Sequence, residues 1–340
     1  MSSSSTAMIA ASVARMLAQL GRPGESEFAS AWQRVTDLGL NGLLIPEESG
    51  GFGGTWRDLF DVQLEVGRTA CPLPLGEAVF ATWASAIAGL PPLEGLGSVA
   101  FDCRGVCDGS TFCGVVRNVP WGRYAAWIIG MTSDGRWLRL PTSHAKAADT
   151  LTLSNLAGEP RDTLTFETAP CDMSSHRDPG LRIEEYGVLV RLGQTCGALG
   201  ATLAMTTEYV KSRVQFGKPI GSFQAVQQRL AVFAGEVSAA GCAARAACVS
   251  VDLHGCARES RYAIAAAKIR ANLAIGIATA AAHQLHGAIG FTADCPLHPL
   301  TRRLWSWRTE LGNDRYWAAR LGEQVAKRGA ARLWHDMVST

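Results

Sequence analysis

The sequence has almost no excess of charge: 32 Lys and Arg stand against 30 Asp and Glu, leaving +2. A balance so near zero argues against a general nucleic-acid binder, which needs a strongly basic face. Long apolar runs are missing too. The longest, Leu273 to Ala282, covers ten residues. That is too short to span a bilayer and too rich in Ala and Gly for a signal core, so no membrane insertion is expected. The opening Met1 to Thr6 is a polar tail without a basic residue. The ten cysteines include no C-x-x-C pair, which favours reduced thiols in a cytoplasmic protein. Cys103, Cys107 and Cys113 lie near one another in sequence, but zinc asks for a fourth ligand and a tighter pattern, so they read as small core side chains. No strand, G-x-G-x-x-G and helix follow in order, so there is no Rossmann fingerprint. What the chain does have is apolar bulk: 47% of its 340 residues are apolar and 18% charged. That is enough for a large core shared by two or three domains.

Three stretches differ in period. Residues 7 to about 90 read as helical. Ala7 to Leu20 has no breaker, Phe28 to Leu38 is stopped by Gly39, and Asp58 to Arg68 places Leu59, Val62 and Val66 on one face. Between the last two, four glycines within Gly50 to Gly54 make a loop. From Gly97 to about Ala169 the apolar runs become short. Strands are expected at Ser98 to Phe101, Phe112 to Val116, Ala126 to Ile129, Trp137 to Leu140, Thr150 to Leu153 and Thr163 to Glu167, with Asp134-Gly135 as a hairpin turn. From Leu189 the helical period returns. Leu189, Leu192, Cys196, Leu199, Leu203 and Val210 form one stripe, and Val226, Leu230, Phe233, Val237, Ala244, Cys248 and Val251 a second. Arg261 to Gln284 holds ten alanines in twenty-four residues, the composition of a closely packed bundle helix. The expected fold is α+β: an N-terminal helical domain over 1–95, a small middle β domain over 96–180 and a C-terminal four-helix bundle over 181–340.

Two segments carry chemistry. Arg213-Val-Gln-Phe-Gly-Lys-Pro-Ile-Gly-Ser-Phe-Gln224 bends between two helices at Gly217, Pro219 and Gly221. Arg213 and Lys218 bring positive charge to the bend, and the next helix begins with free N–H groups, so an anion suits it. An ordinary inter-helix turn with a solvated Arg fits the spacing equally well. Gln284-Leu-His-Gly-Ala-Ile-Gly-Phe-Thr292 ends the Ala-rich helix, where Gly287 and Gly290 allow close approach to a ligand or simply cap the helix.

Taken together, the two segments resemble the signatures of the acyl-CoA dehydrogenase flavoproteins. The stretch from Trp32 through Ile45-Pro-Glu-Glu-Ser-Gly-Gly51 is similar to that family's opening. The resemblance implies an FAD enzyme that desaturates an acyl-CoA thioester between its α and β carbons. It implies that Arg213, Gln215, Phe216, Ile220 and Gln224 contact the FAD of a neighbouring subunit, and that Gln284, Gly287 and Ala288 approach the same diphosphate. An electron-transfer flavoprotein is the implied acceptor, and a homo- or hetero-oligomer, dimer or tetramer, the implied state.

The chain departs from the family in three ways. The flavin-cradling Thr-Glu-Pro-x-x-Gly-Ser-Asp type segment is absent from a short β domain, although Val115 to Arg123 resembles a neighbouring stretch. The usual Gly-Gly pair is Gly287-Ala288. The base that many members carry in a Tyr-Glu-Gly-Thr segment is replaced by Thr309-Glu-Leu-Gly312, which makes Glu310 the candidate after a one-residue shift, equally readable as a surface or paired carboxylate. Short chains of this kind resemble subunits of heteromeric dehydrogenases of steroid catabolism, in which one subunit lacks a complete site. Trp305, Trp307, Trp317 and Trp334 would suit a large interface or simple core packing.

Overall fold

The computed structural model describes residues 3–21, 23–146 and 151–338. Four helices come first: α1 (Ser3–Leu20), α2 (Phe28–Asp37), α3 (Trp56–Thr69) and α4 (Leu75–Ile87). Seven strands follow: β1 (Gly97–Ala100), β2 (Asp102–Asp108), β3 (Thr111–Pro120), β4 (Trp127–Met131), β5 (Trp137–Pro141), β6 (Arg161–Pro170) and β7 (Asp172–Met173). The remainder is helical except for a small ribbon: α5 (Ile183–Ser212), β8 (Val214–Gln215), β9 (Lys218–Pro219), α6 (Gln224–His254), α7 (Arg261–His286), α8 (Leu297–Thr309), α9 (Asp314–Arg328) and α10 (Ala330–Val338). The helix–sheet–helix order expected from the sequence is the order found.

The chain divides into two compact units. One holds Arg22–Thr55 and Pro72–Val190; the other holds Ala7–Gly21, Trp56–Cys71 and Arg191–Thr340. In the first, β1, β4, β5 and β7 form one sheet, with β1 and β4 parallel and the other pairs antiparallel. The second sheet is β2-β3-β6, antiparallel throughout. Phe112, Val116, Ile128, Leu140, Leu164 and Phe166 join the two sheets in one buried cluster. The β4–β5 hairpin turns at Gly135, whose φ of +86° only glycine takes without strain. Arg139 is 1% exposed, and its guanidinium is satisfied by Asp172 at 2.6 Å, Ser85 Oγ at 2.8 Å and the Pro91 carbonyl at 2.5 Å. Cys103 and Cys107 pack against this cluster and Cys171 lies within it. Burial pushes the Cys103 thiol up to about 12 and that of Cys171 up to about 11. Of the expected strand Thr150 to Leu153, Thr150 lies outside the described residues, and Leu151 makes one isolated bridge to Thr163.

The helical unit is built by close approach. Asp252 on α6 accepts hydrogen bonds from the backbone N–H groups of Trp56 and Arg57, at 2.8 and 3.0 Å, and so caps α3 from outside its own segment. Three glycines set the α3–α5 contact. A Cβ on Gly193 would stand 2.6 Å from Cβ of Gln63, one on Gly197 2.8 Å from the Leu64 carbonyl carbon, and one on Gly67 would overlap the Gln194 carbonyl. Gly67→Ala is therefore expected to cost about 1–3 kcal/mol through overpacking. Gly200→Ala, with nothing within 4 Å of the added carbon, should gain up to about 1 kcal/mol of helix propensity. Denaturant midpoints of the two variants check the contrast.

One expectation needs correction. The ten-residue run pointed away from membrane-spanning length, yet α5, α6 and the stretch Arg261–Phe291 are each long and apolar enough to cross a bilayer by length and composition alone. Scattered single polar residues broke the run without lowering the mean, which Ala, Cys, Val and Met keep high over a whole helix. In α5 and Arg261–Phe291, 72% and 61% of the apolar window is buried in the fold, but only 28% in α6.

Candidate functional site

The bend expected at Arg213–Gln224 is a built object. β8 and β9 pair antiparallel, Val214 with Pro219 and Gln215 with Lys218. Phe216 and Gly217 turn between them at φ +53° and +79°, the left-handed pair a tight hairpin requires. The Ile220 N–H donates to the Arg213 carbonyl at 2.9 Å and closes the base of the ribbon. Gly221 lies against the end of α5, where an added Cβ would sit 3.1 Å from the Val210 carbonyl. Gln224 is the first residue of α6 and is exposed, as are Arg213 and Gln215, while Ile220 is half-buried. Phe216 is 89% exposed although its ring meets Phe223 edge-on at 6.1 Å. Lys218 Nζ lies over the other partner of that pair, 4.4 Å from the Phe223 centroid.

The second segment ends α7. Gly287 takes φ +63° and ψ −147°, and its N–H donates to the His283 carbonyl. Gln284, Gly287 and Ala288 are exposed. His286 is buried beneath them, and His283 accepts or donates at Thr301 Oγ1 over 3.1 Å. Burial lowers the His283 pKa, and His286 adds to the effect.

A residue absent from the motifs ties the two segments. Tyr209, four positions before Arg213 on α5, stacks on His286 at 4.4 Å and 19°, and its hydroxyl donates to the His286 carbonyl at 3.3 Å. Tyr209 and His286 thus link the bend to the turn, whose Arg213, Gln215, Gln224 and Gln284 are exposed. Sequence reasoning missed Tyr209, because a single tyrosine gives no signal of its partner 77 positions away.

Glu310 has a different setting. It follows α8, and its Oε2 lies 3.1 Å from a terminal nitrogen of Arg191, the two side chains being 19% and 7% exposed. The Arg191 guanidinium also donates to Gln194 Oε1 and lies 5.3 Å from the Trp307 ring centroid. Gln194 Nε2 donates in turn to Gln63 Oε1 at 2.9 Å. The turn after Glu310 is pinned: Leu311 and Gly312 take φ +59° and +107°, Trp317 Nε1 donates to the Leu311 carbonyl at 2.9 Å, and Asn313 Oδ1 accepts from the Tyr316 N–H at 3.0 Å. Arg191, Gln194 and Gln63 were not expected, since lone polar residues within an apolar stripe carry no pattern. Of the four tryptophans, Trp307 and Trp317 are core residues, each 2% exposed, while Trp305 and Trp334 are 41% and 71% exposed.

Residues 189–326 match the model of the acyl-CoA dehydrogenase C-terminal domain, a span that holds both motifs. The chain is 32% identical over 282 residues to the acyl-CoA dehydrogenase IpdE2 of Mycobacterium tuberculosis, covering 81% of this chain and 80% of that one. The chain belongs to the acyl-CoA dehydrogenase family. Among solved folds, the ChsE4–ChsE5 complex of Mycobacterium tuberculosis superposes with a TM-score of 0.85 at 22% identity, over 97% of this chain and 99% of that one. The Tcur3481–Tcur3483 steroid ACAD does so with a TM-score of 0.85 at 22% identity, over 96% and 98%. As an acyl-CoA dehydrogenase the chain is an oxidoreductase, and the matched span includes both the outward bend and the turn.

Proposed function

We propose that the chain is a subunit of an FAD-dependent acyl-CoA dehydrogenase that desaturates an acyl-CoA thioester, and that its bend and turn grip the FAD of an adjacent protomer. One observation carries the reading: a hydrogen-bonded hairpin holds Arg213, Gln215 and an 89%-exposed Phe216 out of the fold, joined by Tyr209 to the turn of Gln284, Gly287 and Ala288. The donor set fits a dinucleotide. A guanidinium pairs with a diphosphate, glutamine amides bond neutral polar atoms, an exposed ring offers a face to an adenine, and Gly287 leaves a Cβ-free approach. When bound, the flavin supplies the acceptor for the hydride leaving the β carbon. The chain's own residues bind and orient; Glu310 is its candidate to take the α proton, an acidity raised when the thioester carbonyl is hydrogen-bonded. Likeness to a steroid ACAD and to a chain of the ChsE4–ChsE5 complex supports a bulky catabolic acyl-CoA and a hetero-oligomer; the reading adds a cytoplasmic location and an electron-transfer flavoprotein as acceptor.

A second reading is that the chain completes a partner's FAD site without catalysing. It is favoured by the Arg191–Glu310 pair, because a carboxylate committed to a guanidinium is poorly placed to collect a proton. Purification alone and after co-expression with neighbouring gene products tests both. A yellow protein that bleaches anaerobically with acyl-CoA supports the dehydrogenase. Colourless protein that binds FAD only with a second chain supports the partner role. Neither chain combination binding FAD would sink both. Arg213→Ala is expected to lower retained FAD at least tenfold, the loss of a charge-assisted contact worth about 1.5–3 kcal/mol, with the circular-dichroism spectrum unchanged; absorbance at the flavin band against protein measures it.

A further inference from the structure

Lys268 on α7 is 3% exposed, and the site described so far does not use it. Its Nζ donates to the Trp307 carbonyl at 2.7 Å and reaches the Arg308 carbonyl at 3.5 Å, both in the last turn of α8, just before Glu310. Such carbonyls accept an N–H from the ammonium or from the neutral amine alike, so the tie does not require the charge. Four charged groups act on the lysine: Glu310, Arg191 on α5, Asp314 on α9 and Arg308 on α8. Arg191 pairs with Glu310 at 3.1 Å and Arg308 with Asp314 at 2.7 Å. Each pair is neutral in sum, so a protonated Lys268 adds one positive charge that no carboxylate in the group remains to match. A buried charge without a counter-charge is costly.

We propose that Lys268 is a positioning residue: it ties the end of α8 to α7, fixes the turn that carries Glu310, and makes the closure of that turn answer to pH. The geometry gives the tie, and burial pushes the lysine down to about 7, with Glu310 opposing the shift and Arg191 adding to it. The sign follows. A locally opened turn exposes Lys268, which then titrates near 10.4, while the closed turn releases the proton near 7. Between those values the open form binds more protons, so closure is favoured increasingly as pH rises above 7 and is insensitive to pH below it. The bearing on catalysis rests on reading this turn as the flank of the acyl site; the positioning itself does not.

Hydrogen exchange of residues 310–313 on the full chain, without FAD or acyl-CoA, tests it. After correction for intrinsic rates, protection should rise up to about tenfold per pH unit above pH 7, the limit for one linked proton, and stay flat below. Lys268→Met, which cannot titrate, and Lys268→Arg, which stays charged, should both abolish the slope. The chain has five lysines, so a lysine-ε-carbon-labelled sample gives a spectrum simple enough to follow each, and one resonance, lost in Lys268→Met, should titrate about 7. A flat wild-type profile, a slope that survives in either variant, or no lysine resonance titrating about 7 would overturn the proposal. If the slope is present but no chain combination binds FAD, the positioning role stands and the dehydrogenase reading falls.

Discussion

Glu310→Gln should slow anaerobic flavin bleaching by acyl-CoA about 10²–10⁴-fold in the assembled enzyme, with FAD still bound, the usual loss when a general base is removed. It should also cost stability of about 3 kcal/mol, because one member of a largely buried ion pair is gone and Arg191 keeps its charge. The two effects are separable. Stopped-flow bleaching reports the first, and the denaturant midpoint reports the second. A lower midpoint with unchanged bleaching would remove Glu310 from the chemistry and leave it as the counter-ion of Arg191. The partner-subunit reading would then be the one to keep. Arg191→Met with Glu310→Gln should recover part of the lost stability, since replacing both members of a buried pair is far milder than stranding one.

Trp317→Ala is expected to lower stability by about 3–5 kcal/mol, the range for losing a large buried aromatic side chain. The ring is 2% exposed and its Nε1–H donates to Leu311 O at 2.9 Å, so the substitution also releases the turn after Glu310. Trp317→Phe should cost less, about 1 kcal/mol for the lost hydrogen bond plus a small packing defect. If Trp317→Ala leaves hydrogen exchange at residues 310–313 unchanged, the pinning assigned to the indole is wrong.

The parts legible in the sequence were those with period or a spelled motif. α5, α6 and α7 declared themselves through stripes at three and four residues and through alanine content. β1, β3, β4, β5 and β6 showed as short apolar runs between turns. β2 did not, because Asp102–Asp108 contains Asp, Arg and Gly and is mostly half-buried or exposed, so no alternation marks it. α1 begins at Ser3, earlier than expected at Ala7, since serine is a weak helix former that context overrode. The β8–β9 ribbon was hidden by the same Gly and Pro that announced a bend. Both chemical segments were visible as strings. Their joint placement was not, for it depends on Tyr209 meeting His286, and the neighbours of Glu310 were not, for Arg191 is 119 positions away along the chain. Sequence spacing reports neighbours on one helix; it is silent on which helix face meets which.

The outward hairpin has a consequence for genetics. If Phe216, Arg213 and Gln215 serve a nucleotide held by a different polypeptide, a lesion in this gene is read out in the colour of its neighbour. An intact second copy of this gene would then return flavin to a polypeptide whose own sequence never changed.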